Sequence, residues 1–413
     1  MRKSLSIALA VVLALGVVGA NPSTSLGIRP ERGRRPHQAP APPPAAPGID
    51  VRALERARIL PAAERFLREK PLTVTSVRAE RSAGGPHDFF SEGDYWWPDP
   101  KNPGGPYIRR DGLSNPDNFV EHRRAMIRFA THVATLTSAY RLTGEARYAA
   151  HAMAHLSAWF VEPSTRMAPH LRYAQAIRGR ETGRGTGIID TIHLVEVARS
   201  AEWLERSGAR GATPDAMKAI RAWFAEYLRW LTSHEYGIAE RDAKNNHGTC
   251  WVMQVAAFAQ LAGDQSLLAY CRDRYKQVLV PGQMAPDGSF PLELERTKPY
   301  GYSLFNLDAL ATTCRILSTP ADDLWAWTTP DGRGMRRAMA FHYPYMRDKR
   351  TWPFPKDVLY FDEWPVRHPS LLFAGLALDE PAYLTLWSTL EASPITEEVI
   401  RNLPIRHPLL WVE

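Results

Sequence analysis

Two short runs, Leu142-Thr143-Gly144-Glu145 and Leu261-Ala262-Gly263-Asp264, most constrain how this chain can fold. Each joins two amphipathic segments through a glycine and an acidic residue. Glycine takes the left-handed conformation that ends a helix without steric penalty. An acidic side chain at the start of the next helix meets the positive end of its dipole. The pattern predicts helices turned back on each other in pairs. Around these turns, apolar positions recur at three- or four-residue spacing. Segments 51–70, 119–142, 146–160, 187–206, 214–233, 249–261, 266–279, 302–317 and 334–347 read as helices, with shorter ones near 369–377, 380–391 and 396–402. Strand signals are sparse apart from a possible extended piece at 74–77. No strict repeat period is visible, which disfavours a tandem solenoid. The expected fold is all-α: an (α/α) toroid, an incomplete barrel of about six or seven helical hairpins whose long loops form a cleft at one end.

Residues 1–20 have the layout of a secretory signal, with Arg2 and Lys3, an apolar run over 5–18 and the small residues Val18-Gly19-Ala20 at a cleavage point. The run is short for a membrane span, and no cysteine follows it to carry a lipid. The mature protein is therefore expected to be periplasmic or secreted, with no membrane span after cleavage. Residues 21–49 form a Pro/Arg-rich disordered linker without apolar area to bury. Residues 50–413 read as a single toroid domain. The formal net charge is +7, but Arg2, Lys3, Arg29, Arg32, Arg34 and Arg35 against Glu31 leave only +2 on that body. A body so nearly neutral gives no reason to expect nucleic acid as a partner, and a basic patch for an acidic ligand would have to be local. Cys250, Cys271 and Cys314 lack zinc or redox spacing and read as small buried residues. No cluster has metal-ligand spacing, so neither metal nor cofactor is expected.

Three stretches interrupt the helical pattern with residues that carry chemistry. Residues 81–118 lack a helical period, and a loop of that length in a compact domain is usually functional. It holds Phe89, Phe90, Tyr95, Trp96, Trp97 and Tyr107, then Arg109 and Arg110. Aromatic faces stack on sugar rings, and guanidinium forks grip carboxylates at two points. Tyr95, Trp96, Trp97, Arg109 and Arg110 are therefore expected to bind an acidic sugar; the plainer reading is that the aromatics seal the edge of the ring. The second stretch is Lys244-Asn245-Asn246-His247-Gly248-Thr249-Cys250-Trp251, two amides and an imidazole at the mouth of an apolar helix. Read locally, it is a polar turn with Asn246 or Thr249 as cap. The third runs from Gly282 to Ser303, with a turn at Asp287-Gly288 and Arg296 six residues before Tyr302. Locally, Arg296 is a surface charge for Glu293 or Glu295, and Tyr302 a helix-end aromatic. His193 is a further candidate for lining the cleft, against the plainer reading of a hydrogen-bonded helix residue. His122, His132, His151 and His155 read as helix-edge residues, not ligands.

Together, the Asn-Asn-His cluster and the run DGSFPLELERTKPYGYSLFNLDAL at 287–310 resemble the alginate lyase family of polysaccharide lyases. That family shows an Asp-Gly-x-x-Pro turn, a Glu-Leu-x-Arg run and a tyrosine opening the next helix. The resemblance covers roughly residues 118–320, and the loop stretches 95–100 and 109–116 are similar to a subset of related uronan lyases. No family motif is recognised beyond about residue 320. The resemblance implies an α/α toroid and β-elimination on an acidic polysaccharide, alginate or a glucuronan. Residue by residue, Asn246, His247, Arg296 and Tyr302 match the family's catalytic Asn, His, Arg and Tyr. The Arg-to-Tyr gap is one residue shorter than in the best-known branch, so Tyr300 competes with Tyr302. The run Tyr300-Gly301-Tyr302-Ser303-Leu304-Phe305 resembles the Tyr-Ser-x-Phe of other branches and favours Tyr302.

These residue types suit the implied reaction, which removes the C5 proton of a uronate and expels the sugar at O4. The proton is a poor acid while the adjacent carboxylate is charged. Asn246 would hydrogen-bond that carboxylate, and Arg296 or protonated His247 would offset its charge, each donor worth about 3 kcal/mol in comparable sites. Tyrosine titrates near pKa ~10, and a neighbouring arginine is expected to lower that value. In a syn elimination Tyr302 would be base and then acid; in an anti elimination His247 would be the base and Tyr302 the acid. Asn245 is expected to act as support and Thr249 to start the helix. Two other classes compete. A glycoside hydrolase on the same toroid needs paired carboxylates, and Asp190, Asp287, Glu293 and Glu295 are available but not visibly paired. A non-catalytic polysaccharide-binding protein would have no use for the intact Asn-His-Arg-Tyr set.

Overall fold

The computed structural model describes residues 49–412; the expected leader, and the linker as far as residue 48, lie outside the described residues. Among the described residues no helix is long and apolar enough to cross a membrane. The helices in chain order are α1 (Val51–Phe66), α2 (Glu121–Thr143), α3 (Ala146–Phe160), α4 (Leu194–Arg206), α5 (Pro214–Ser233), α6 (Glu235–Arg241), α7 (Asn246–Ala262) and α8 (Gln265–Arg274). They continue as α9 (Val280–Gln283), α10 (Pro291–Leu294), α11 (Pro299–Leu317), α12 (Met335–Arg347), α13 (Pro369–Ala377), α14 (Pro381–Thr389) and α15 (Glu397–Arg401).

The glycine turns do what their sequence demands. Gly144 and Gly263 end α2 and α7 at φ 74° and 79°. Asp264 then caps α8 by accepting from the backbone N–H of Ser266 and Leu267. Glu145 makes no such cap; its carboxylate pairs with Arg147 instead. Helices α2, α4, α7 and α11 succeed one another around the inside, with α13 against α11, while α1 and α3 flank α2, and α5 and α8 flank α7. The result is an (α/α) toroid. The inner α7 and α11 are apolar on nearly every face and buried almost throughout, as an enclosed helix must be. Residues 402–412 return across the base. There the buried carboxylate of Glu196 on α4 accepts hydrogen bonds from the backbone of Arg406 (3.0 Å) and His407 (2.8 Å) and from the Trp411 indole (3.2 Å).

Three departures from expectation bear on the site. Helix α7 begins at Asn246 rather than Thr249, and α11 at Pro299 rather than Tyr302, so Asn246, His247 and Tyr302 all sit in first turns. The segment 187–206 divides into a 3-10 turn, Gly185–Thr191, and then α4, and 74–77 holds a 3-10 turn at Val74–Ser76. The region 81–118 contains short strands. β1 (Phe90–Glu92) lies parallel to β4 (Tyr173–Ala176), and β2 (Trp96–Trp97) pairs antiparallel with β3 (Ile108–Arg109). The long loop is thereby pinned down. Asp94 makes a two-point ion pair with Arg123 of α2 at 2.6 and 2.8 Å. Asn118 and Asn115 donate to the carbonyls of Gly93 (2.7 Å) and Trp96 (2.9 Å).

Candidate active site

The N-terminal ends of α7 and α11 open onto the same rim, so two positive helix ends face one place. Each is capped from far away in sequence. The buried Glu293 carboxylate takes the Asn246 backbone N–H at 2.6 Å and its side-chain Nδ2 at 2.7 Å. That tertiary cap, rather than Thr249, lets α7 start three residues early; Thr249 is buried and donates to Gln283 at 2.9 Å. Asn245 is the residue before the helix but makes no side-chain cap. Burial pushes the Glu293 carboxyl up, against the pull of Asn246, Arg296 and His247. One amide hydrogen of Asn246 goes to Glu293, and the other remains for a ligand.

His247 is held by a second buried carboxylate. Its Nδ1 lies 2.6 Å from Oε1 of Glu240, at the end of α6. A carboxylate only accepts, so Nδ1 carries a hydrogen, and in the neutral ring Nε2 then keeps the free lone pair. The sharp α6–α7 corner that makes this contact needs glycine at 248, where a Cβ would stand 2.3 Å from the Ala243 carbonyl oxygen.

Arg296 and Tyr302 form the other half. The Arg296 guanidinium lies 4.2 Å from the centre of the Tyr302 ring. Its Nε and Nη2 reach Asp111 of the long loop at 3.2 and 2.9 Å, so its partner is neither Glu293 nor Glu295. Arg109 shares that carboxylate at 2.6 Å. Burial opposes ionisation of Asp111, but Arg296 and Arg109 hold its carboxyl well below the usual range. The Tyr302 and Tyr95 hydroxyls share a hydrogen bond of 2.6 Å, and Tyr95 donates a longer one, 3.4 Å, to Glu398 of α15. Glu398 is ion-paired with the buried Lys298 and, at 3.2 Å, with Arg401. Burial pushes the Tyr302 phenol well above its ordinary value; Tyr95 and, more weakly, Glu398 add to that, and Lys298 and Arg296 only partly offset it. The expected lowering by arginine is therefore overridden, because the side chain is almost fully buried. Resting Tyr302 is a phenol at neutral pH.

A family model described as alginate lyase matches residues 73–352, more than half of the chain. The chain belongs to the alginate lyase family. The match reaches further in both directions than the motifs at 118–320. An alginate lyase from Bacteroides ovatus is similar at 31% identity and a TM-score of 0.75, over 86% of this chain and 93% of that one. Alginate lyase A1-III from Sphingomonas species A1 shares 16% identity at a TM-score of 0.52, over 86% and 94% of the two chains. A variant of A1-III complexed with a tetrasaccharide gives 15% identity and 0.53. At these identities A1-III is a likeness of fold. No curated protein sequence matches. As a member of this family, the chain is a polysaccharide lyase.

Within this lyase, not every residue expected to bind substrate faces the rim. Tyr300 is fully buried; its hydroxyl donates to the Tyr345 carbonyl at 3.0 Å and its ring packs on Trp352 and Phe361. Two positions apart on a helix, side chains diverge by about 200°, so when Tyr302 turns to the rim Tyr300 turns to the core. His193 is also buried, and its Nε2–H donates to the Arg401 carbonyl, 3.0 Å away. It supports α15 and, with Arg123, Asp190 and Arg401, lines a small cavity there. Burial pushes its imidazole down to about 3. Trp96 and Trp97 are half-buried beside guanidinium groups: Arg180 and Arg184 lie 5.4 and 5.7 Å from the Trp96 ring, and Arg110 lies 5.3 Å from Trp97. Arg184 is steadied by Gln175, which holds a strained φ of 50° and accepts from Arg184 at both its backbone and side-chain oxygens, 2.9 Å each.

Five residues of this site escaped sequence reading: Glu240, Asp111, Lys298, Glu398 and Arg184. Only Glu240 left a local signal, a carboxylate seven positions before His247. Glu293 was legible as part of a motif, but as an arginine partner rather than as the anchor of Asn246.

Proposed function

We propose that this lyase depolymerises alginate by β-elimination, with Asn246 and Arg296 meeting the uronate carboxylate and Tyr302 delivering a proton to the departing O4. The observation that carries the reading is the buried Tyr302 phenol beneath the Arg296 guanidinium. A phenol that stays protonated at rest holds the proton O4 needs, while burial weakens it as an acid and leaves that to be offset by the cations beside it. Arg296 exchanges Asp111 for the substrate carboxylate, and the free amide hydrogen of Asn246 completes the neutralisation.

The base depends on the sugar. In guluronate the C5 proton is anti to O4, and His247 Nε2, backed by Glu240, takes it. In mannuronate, as in glucuronate, the proton is syn to O4, and Tyr302 must remove it as phenolate before returning it to O4. Burial makes that phenolate scarce, so cleavage of mannuronate-rich polymer rises with pH. A glucuronan is the second substrate this syn geometry admits. The chain is proposed to work in the periplasm or outside the cell, on the strength of the signal-like sequence of residues 1–20. A hydrolase reading finds little support: Glu293 is committed to Asn246, Asp190 to Ser91 and Gln175, and Asp287 to its own turn with Ser289.

The test is incubation with guluronate-rich and mannuronate-rich alginate and with polyglucuronate, following ultraviolet absorbance of the unsaturated uronate. Absorbance is expected to rise with alginate. New reducing ends without it would favour hydrolysis, and binding without either would favour a carbohydrate-binding protein.

A further inference from the structure

Lys298 is a cation sealed inside the protein, on the turn that leads into α11. Its side chain is 4% exposed. Its ammonium lies 5.0 Å from the centre of the Tyr95 ring, 5.6 Å from Tyr302 and 5.5 Å from Tyr360. A buried ammonium needs a counter-ion, and Glu398 of α15 supplies it. That carboxylate is itself fixed by Arg401, which also reaches Asp94 at 3.1 Å. On the other side Asp357 accepts from the first N–H groups of α11, and Arg296 covers the Tyr302 ring. The two cations beside Tyr302 differ in their access. Arg296 is partly exposed and pairs with a loop carboxylate that a ligand can replace. Lys298 is enclosed by three tyrosine rings and a glutamate, so it meets no polymer.

Resting on the reading of Tyr302 as acid–base, we propose that Lys298, fixed by Glu398, is a positioning residue for Tyr302 whose charge stabilises the phenolate formed during turnover. When Tyr302 acts as acid, its O–H bond breaks, the proton goes to O4 and the electron pair stays on Oη. The leaving oxygen takes the proton as its bond to C4 breaks, and the C4–C5 double bond forms with the electrons of the C5–H bond. The phenolate left on Oη lies in apolar surroundings that disfavour it, and the fixed ammonium offsets that without reorganisation. Lys298 thereby recovers part of the acidity that burial removes from Tyr302.

The experiment measures kcat and KM of the full chain on alginate. Lys298→Met is expected to lower kcat by about tenfold or more, the effect of roughly one pKa unit, with KM within about twofold. Lys298→Arg, which keeps the charge, retains most of the rate. Because Lys298→Met leaves the buried Glu398 with Arg401 as its one remaining cation, Lys298→Met combined with Glu398→Gln removes the excess charge and is expected to stay slow. The decisive arm places a fluorinated, more acidic tyrosine at position 302 of the Lys298→Met protein, where it is expected to restore kcat. Wild-type kcat in Lys298→Met, or a loss the acidic tyrosine leaves unchanged, overturns the proposal. Full turnover by Tyr302→Phe would instead overturn the reading of Tyr302 on which it rests.

Discussion

Tyr300 and Tyr302 stand two positions apart with opposite fates. Tyr302→Phe is expected to reduce turnover at least about a thousandfold while leaving substrate binding intact, measured by steady-state rates and by binding of alginate oligosaccharides. Tyr300→Phe is expected to keep its activity and lose about 1 kcal/mol of stability, the value of one hydrogen bond, read from urea unfolding. The reverse result would move the acid–base role to Tyr300. Glu240→Gln leaves His247 without a purely accepting partner. Its kcat on guluronate-rich alginate is expected to fall by about a hundredfold, with a smaller change on mannuronate-rich polymer; equal losses on both would remove His247 from the role of base. Asn246, His247, Arg296 and Tyr302 were legible because they lie within short runs whose order is itself informative. Their carboxylate partners were not. Asp111 reaches Arg296 across 185 residues and Glu398 reaches Lys298 across 100, and nothing in the local sequence distinguishes either from an ordinary surface acid.

Helices α7 and α11 share a construction in which a buried carboxylate from elsewhere caps a first turn that carries a site residue. Glu293 caps α7, and Asp357 caps α11 through Tyr300 N–H at 2.8 Å and Gly301 N–H at 2.9 Å. Cap preferences are read from neighbouring residues, which is why the starts of both helices were misplaced although their apolar bodies were legible. Burial pushes the Asp357 carboxyl up to about 6 despite its two backbone hydrogen bonds. An unfolded aspartate titrates near pH ~4, so between these values the native state holds the proton more tightly. The resulting stabilisation is present in full below pH ~4 and is lost as pH rises through ~6, about 3 kcal/mol in all. Asp357→Asn removes it. Urea unfolding should therefore show the wild type losing stability relative to the variant across that window. A constant difference would mean that Asp357 titrates as it does in water.

The helical hairpins and their closure into a toroid were legible because every turn is local. The short helix expected near 396–402 is present as α15, but how the segment from 397 to 412 docks was not legible, since the contacts that anchor it are remote: Glu196 meets Arg406 across 210 residues, and Tyr95 meets Glu398 across 303. Glu196 is the centre of this closure. Removing it leaves several buried donors unpaired, so Glu196→Ala is expected to cost on the order of 3 kcal/mol, seen as a lowered thermal midpoint. An unchanged midpoint would mean that the base holds without it.

This remote closure sets an order of events during synthesis. Helical pairs near the N-terminus have local contacts and form early as a chain is made. Tyr302 emerges nearly a hundred residues before Glu398, and until Glu398 arrives the Lys298 ammonium has no counter-ion to hold it inside. A nascent chain can thus possess Asn246, His247, Arg296 and Tyr302, with the hairpins that carry them, and still lack an assembled site. Activity should appear as a single late step, gated by the arrival of α15.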